Sequence, residues 1–340
     1  MTELVISTQI EPGMSGYTYA SNLTRAWTRG ELSRMWLLGS RPVSGQVSAK
    51  RGGGLWKGLD RMPKLTTGLL DKLESVGVEH PSSYSDCYHQ LAPNVKRLKH
   101  SYNGMFNWWS GGAWEEALKP GVYHGSWKRY DIRSAYRWAS TLGLPDVATF
   151  RAWKRFRNPH DVNGLWVAYI ERRDDLPNVF RRALGPVVIS SEELRTYNLL
   201  ADVVYGVTWT DTLPANYIGE TLDRLPCVKD AGRAYWGRWI ARDPLICKTA
   251  NKTWKLQNRT ANFIWGWLLV GRVRLRLWKQ ARYAVHVYVD EVLVPHDLPT
   301  GPNVGDWNLK ETYPNGITVK RTGWYAPLGG SAVMHTGMAA

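Results

Sequence analysis

Residues 282–294, Arg-Tyr-Ala-Val-His-Val-Tyr-Val-Asp-Glu-Val-Leu-Val, decide how this chain is read. β-Branched and aromatic residues alternate through the stretch, as a strand pair with one buried face requires, and Asp290 with Glu291 forms its one acidic point. The pattern predicts a hairpin with two carboxylates at its turn. Upstream, residues 122–132 read as a strand that ends on Asp131, just before a helical pattern starts near Ser134. Asp131 and Asp290 then converge if the two segments are neighbours in one sheet. Between them, residues 255–280 read as a helix with Lys255, Asn258, Arg259 and Asn262 on one face, because they recur three and four residues apart.

The rest of the chain is less patterned. Residues 65–76 carry the apolar period of an amphipathic helix, with Leu65, Leu69, Leu73 and Val76 on one side. The stretch 48–58 (SAKRGGGLWKG) reads as a mobile basic loop, and no internal repeat is present.

The balance of charge is +15 over 340 residues, which makes a polyanionic partner plausible beside the alternative of a solvated basic surface. The 19 Trp and 17 Tyr against 5 Phe suit base stacking next to phosphate contacts, although most of those rings are read as core. Cys87, Cys227 and Cys247 are too scattered for a zinc site or a disulfide framework, so a reduced, cytoplasmic protein is expected. No secretory leader pattern opens the chain, and the longest apolar run, 261–271, is too short to span a bilayer. No membrane partner is therefore expected.

Two convergent aspartates suit nucleotidyl transfer. That chemistry holds two divalent ions about 3.5–4 Å apart, one activating the attacking 3′ oxygen and one steadying the leaving pyrophosphate. Magnesium takes hard oxygen ligands and keeps several waters, so a pair of carboxylates plus substrate phosphates suffices. An Asp at a strand end is also a common turn or helix-cap residue, and order and surroundings have to separate the two readings.

Those surroundings resemble the family B DNA polymerases, above all the protein-primed branch of viruses and linear plasmids. Asp131-Ile132-Arg133-Ser134-Ala135-Tyr136-Arg137 is similar to the first palm motif, D-x-x-S-x-Y-P, with Arg137 in place of the proline. Asn262-Phe263-Ile264-Trp265-Gly266 resembles the fingers core N-S-x-Y-G. The family's preceding lysine falls on Asn258, so the neighbouring Lys255 or Arg259 takes its role, Lys255 being preferred. Val287-Tyr288-Val289-Asp290-Glu291-Val292 resembles Y-x-D-T-D-S, with Tyr288 at the first aspartate and Asp290 at the second. Tyr102-Asn103-Gly104-Met105 resembles the template-contacting Y-x-G-G/A turn. Residues 189–194 with 203–206 resemble the intervening palm segment, in which a Ser or Thr starts a capping box. Residues 304–311 and 320–325 resemble a strand pair ending in K-x-Y, with Gly323 at the lysine and Lys320 and Arg321 beside it.

The resemblance covers residues 102–325. It implies an α+β fold: a polymerase palm (an antiparallel sheet with helices on one face), a short helical fingers insertion, a separate N-terminal basic region, and a reduced or absent thumb. The implied division is an N-terminal module over 1–93, a first palm part over 94–206, fingers-like helices over 207–282, and the rest of the palm over 283–340. The implied activity is DNA-directed DNA polymerisation with two Mg2+, Mn2+ being able to substitute. Asp131 and Asp290 would be catalytic and metal-binding, with Glu291 as a nearby acid. Ser134, Tyr136, Lys255, Arg259, Asn262 and Gly266 would meet the nucleotide; Tyr102, Gly104, Lys320, Arg321 and Tyr325 would meet DNA.

Template, primer, deoxynucleoside triphosphates and a replication or priming protein are the implied partners. Basic segments 151–157 and 272–282 are expected to flank the duplex, or else to be solvated faces. No D-x-E occurs in the first hundred residues, so no proofreading is expected. Two alternatives stay open: a catalytically degenerate DNA-binding relic, from the reduced third motif, and a primase-like or template-independent transferase, because a small palm without a thumb suits starting chains.

Overall fold

The computed structural model describes residues 112–218, 239, 245–248, 253–256, 262–330 and 333–334. The chain divides into two compact units, Met1–Arg97 with Ile218–Asn262 and Leu98–Tyr217 with Phe263–Ala340. Readings made on residues 48–58, on 65–76, and on Tyr102, Gly104 and Arg259 lie outside the described residues.

In chain order the described elements begin with strands β1 (Trp114–Ala117), β2 (Gly121–Tyr123) and β3 (Trp127–Ile132), followed by helix α1 (Ala135–Thr141). Next come β4 (Arg151–Lys154), β5 (Gly164–Ile170), helix α2 (Asn178–Arg181), β6 (Val187–Ser190), helix α3 (Ser191–Tyr197) and β7 (Ala201–Thr208). Strands β8 (Leu245–Lys248) and β9 (Thr253–Leu256) precede helix α4 (Phe263–Ala281). The hairpin β10 (His286–Val289) and β11 (Glu291–Val294), then β12 (Trp307–Tyr313), β13 (Ile317–Arg321), β14 (Trp324–Pro327) and β15 (Val333–Met334), complete the series.

The first unit contributes β8 and β9, an antiparallel pair. Lys255 therefore lies in a strand, opposite Ile246, and the single helix expected over 255–280 starts only at Phe263. The helical reading rested on the spacing of polar side chains. The β-formers of Leu-Ile-Cys-Lys and Thr-Trp-Lys-Leu, separated by four residues in the sequence, outweigh that spacing.

Among the described residues, the second unit holds three antiparallel sheets. The central one has the order β1-β10-β11-β3-β12. A second runs β15-β14-β13-β2, and a third runs β4-β7-β5-β6. The strand expected over 122–132 is two strands, because Gly125, at φ 83, turns the chain between β2 and β3 and sends them to different sheets. Likewise β12 and β13 do not pair with each other: β12 joins β3, and β13 joins β2 and β14.

Helix α4 is buried almost continuously from Phe263 to Arg274, as a helix apolar on all sides must be. It packs on α1, α3, β6, β10 and β11. The capping box read at Ser190 forms: Ser190 accepts from the Glu193 N–H, and the Glu193 carboxylate accepts from the Ser190 N–H. Glu193 also pairs with Arg274 at 2.8 Å, both side chains essentially unexposed. Gly271 makes this approach possible, since a Cβ there would lie 2.6 Å from Glu193 Oε2. Arg272 chelates Glu192 and donates to the carbonyls of Ala139 and Gly143 at the end of α1. The expectation that 272–282 lines the duplex therefore fails for Arg272 and Arg274, which are spent on buried partners. Removing one member of a fully buried pair strands the other and costs about 3–5 kcal/mol.

The third sheet packs around Trp166, which with Phe180, Ile189, Leu194 and Tyr197 forms one apolar cluster. Gly206 of the Val-Val-Tyr-Gly segment is obligatory there, because a Cβ would collide with the Trp166 ring. Trp127, Val285, Leu293, Tyr313, Ile317, Val319 and Tyr325 form a second cluster. Among the described residues no helix is long and apolar enough to cross a membrane.

Candidate active site on the central sheet

Register brings one row of side chains across all five central strands. Glu115 opposes Tyr288, Tyr288 opposes Glu291, Glu291 opposes Asp131, and Asp131 opposes Asn308. Directly opposed residues of antiparallel strands share a face, so the five form one line on one side of the sheet. Asp290 occupies the turn between β10 and β11, and its carbonyl accepts from the Ile132 N–H at 3.0 Å. Asp131, one residue before the end of β3, thus lies next to the residue whose backbone is bonded to the turn bearing Asp290.

The turn is strained. Val289, just before Asp290, has φ 60, a left-handed conformation that a β-branched side chain rarely adopts. Ser134 also sits at φ 50; it is exposed and makes no side-chain capping bond to α1.

Both oxygens of Asp131 are held from β12. Asn308 Nδ2 donates to Oδ1 at 2.9 Å, and Lys310 Nζ pairs with Oδ2 at 2.8 Å. Asn308 is itself oriented by Arg133, which donates to its Oδ1 at 3.0 Å. Lys310 is placed by a bulge: Leu309 faces Tyr130 and Glu311 faces Arg129, leaving Lys310 as the extra residue. Arg129 reaches Glu291 at 3.5 Å and Glu311 at 3.3 Å. Burial pushes the Glu291 carboxyl up, the Arg129 guanidinium draws it back, and the Asp131 carboxylate adds to the rise. Glu115 is raised by burial.

Tyr136, on α1, has its phenol pushed up to about 12, chiefly by burial and then by the Asp290 carboxylate, with Arg274 opposing. Tyr288 is raised by burial and then by Glu115 and Glu291. Both phenols therefore stay neutral beside the acids at neutral pH.

The other sequence candidates are dispersed. Gly266 is buried within α4, and its neighbour Trp265 donates to the Pro145 carbonyl at 2.9 Å. Asn262 is buried just before the helix, and its N–H donates to the Trp239 carbonyl at 3.1 Å. Lys320 and Arg321 are exposed on β13, Lys320 lying over the Trp324 ring. Tyr325 is 1 % exposed and packs near Tyr313 and His286, so the contact surface expected of its ring is taken up by the core. In the 151–157 segment the five residues Arg151, Trp153, Lys154, Arg155 and Arg157 are exposed, while Phe156 stacks on Trp166.

Sequence reasoning missed Glu115, Asn308 and Lys310. Only β-register brings Asn308 and Lys310 to Asp131 and puts Glu115 in the same row, and the chain holds no local signal of that pairing.

The donors in the row are carboxylate and amide oxygens, which match magnesium or manganese by hardness. Among the described residues no three His, Cys, Asp or Glu are already grouped as a metal cage. Asp131 and Asp290 with water and phosphate oxygens would be enough for an ion that normally keeps several waters.

No family model matches the sequence, and no curated protein matches it. Solved structures do. Phi29 DNA polymerase complexed with single-stranded DNA is similar at a TM-score of 0.57 and 10% identity, over 86% of this chain and 63% of that one. Phi29 DNA polymerase with primer-template DNA and incoming nucleotide gives 0.54 and 10% identity, over 88% and 66%. The chain thus spans 63% of the length of the first of these neighbours. Antiparallel sheets with helices packed on them, and an acidic row on the central sheet, belong to a chain whose fold is DNA-polymerase-like.

Proposed function

We propose that the chain is a family B type DNA polymerase that adds deoxynucleotides to a primer 3′ end by two-metal nucleotidyl transfer. The observation that carries this reading is the cross-strand row: Asp131 lies directly opposite Glu291, and its neighbour Ile132 is bonded through the backbone to the turn residue Asp290. A polymerase-like fold supports it.

Two magnesium ions, when bound, would acidify the primer hydroxyl and take up charge on the leaving pyrophosphate. Asp131 and Asp290 would hold them, and Glu291 would add a third oxygen donor. Tyr136 would stay protonated next to Asp290 and present a rigid ring to the incoming sugar. Ser134, exposed at the start of α1, would donate to the triphosphate, with Lys255 or Arg259 as the fingers cation and Asn262 and Gly266 bordering the base pair. Lys320 and Arg321, with the exposed cations of β4, would meet phosphates without reading sequence. Tyr102 and Gly104 would contact template. Proofreading is not part of the proposal, for want of a D-x-E in the first hundred residues.

Tyr288, standing where the family has an aspartate, favours a second reading: a DNA-binding relic of a polymerase. Primer extension on a recessed duplex with magnesium or manganese separates the two. Templated extension is expected, with a loss of at least about a hundredfold in Asp131→Ala and in Asp290→Ala, the scale on which transition-state charge stabilisation operates. Products in a no-primer lane would move the reading to a primase-like transferase. DNA binding with no incorporation by the parent would leave the relic.

A further inference from the structure

Lys310 is not required by the ladder that carries it. The bulge in β12 leaves its neighbours paired with β3, so its side chain can move without breaking a strand pairing. Its ammonium nevertheless sits 2.8 Å from Asp131 Oδ2, and the pair is only partly exposed, 35% for Lys310 and 18% for Asp131. The second oxygen, Oδ1, is held by Asn308, which Arg133 fixes in turn. An ammonium and a divalent ion at contact distance from one carboxylate oxygen repel each other and compete for it, because both are cations. Asn308 is neutral, braced and on the other oxygen, so the group that must yield is Lys310.

We propose that Lys310 is the internal counter-ion of Asp131, a placeholder that a divalent cation displaces from Oδ2. This rests on the metal-binding reading of Asp131 given above. The pair keeps the carboxylate oriented before the ion arrives, and it sets the ion concentration at which the site fills. By linkage, a cation that expels Lys310 must free its ammonium, and removing Lys310 must tighten cation binding.

Manganese binding to the full chain, without DNA or nucleotide, is followed by the loss of the free-ion electron paramagnetic resonance signal. The parent, Lys310→Met and Asp131→Asn are compared. Lys310→Met is expected to bind about fivefold more tightly, as release from a partly exposed ion pair of about 1 kcal/mol implies. Asp131→Asn is expected to lose the site. In the parent, acetylation of Lys310, read by peptide mass against the exposed Lys320, is expected to speed up when manganese is added.

Equal affinity in the parent and Lys310→Met, with loss in Asp131→Asn, overturns the placeholder while leaving the metal reading intact. No Asp131-dependent binding in either the parent or Lys310→Met overturns both. If Lys310→Met does not fold, the acetylation measurement decides: a rate unchanged by manganese that binds through Asp131 overturns the proposal.

Discussion

Two charged regions of the second unit make opposite use of the same chemistry. Around α4, buried Arg272 and Arg274 each meet a dedicated acid, Glu192 at the edge of the protein and Glu193 inside it. On the central sheet, Asp131 pairs with Lys310, and Glu291 and Glu311 share Arg129. The first arrangement is closed and brings the strand, cap and helix into one register. The second lies at a partly exposed surface, where cations from solution can compete for the carboxylates. Charge density alone therefore does not identify a site; its access to water does.

That contrast can be broken by substitution. Glu193→Gln is expected to cost about 3–5 kcal/mol, since it strands Arg274 in an apolar interior, whereas Asp131→Asn should cost less than about 1 kcal/mol. Urea unfolding of the two variants measures both; equal losses would show that the row is as structural as the α4 pairs.

A smaller effect sharpens the electrostatics of the row. Tyr136 has a folded-state pKa of about 12, above its unfolded value near 10, so the stability it contributes is complete below pH 10 and fades as pH rises towards 12. Tyr136→Phe should flatten the loss of stability across that window by up to about 2 kcal/mol. An unchanged alkaline slope would mean that the phenol is not screened from water beside Asp290.

The smallest effect concerns the turn. Val289→Gly relieves the left-handed strain and is expected to stabilise by about 1 kcal/mol, while loosening the hold on Asp290. A thermal scan with a primer-extension assay reads both halves of that trade.

The sequence was most legible where structure is local. The hairpin at 286–294, Asp131 at the end of its strand and the Ser190 capping box are written in alternation and spacing over fewer than about ten residues. The fate of Arg272 and Arg274 was not legible, because their acids lie about eighty positions earlier and nothing in an Arg-rich helix announces them. The glutamates of the capping box, sitting beside buried Leu194, were the available clue. Tyr325 was read through a motif as a contact residue, although the alternation of residues 317–325 also allows an inward ring. Lys255 was misplaced because polar periodicity was trusted over the β-formers around it.

The cross-strand row also makes the site a gauge of correct folding. Its residues come from segments far apart in the chain, and each joins only through the pairing of its own strand. A slip of one residue in any of the four pairings turns that strand's contribution to the opposite face. Misregistered molecules would keep most of their secondary structure and still lack the site, so a preparation's active fraction would count the chains in which all four ladders closed in step.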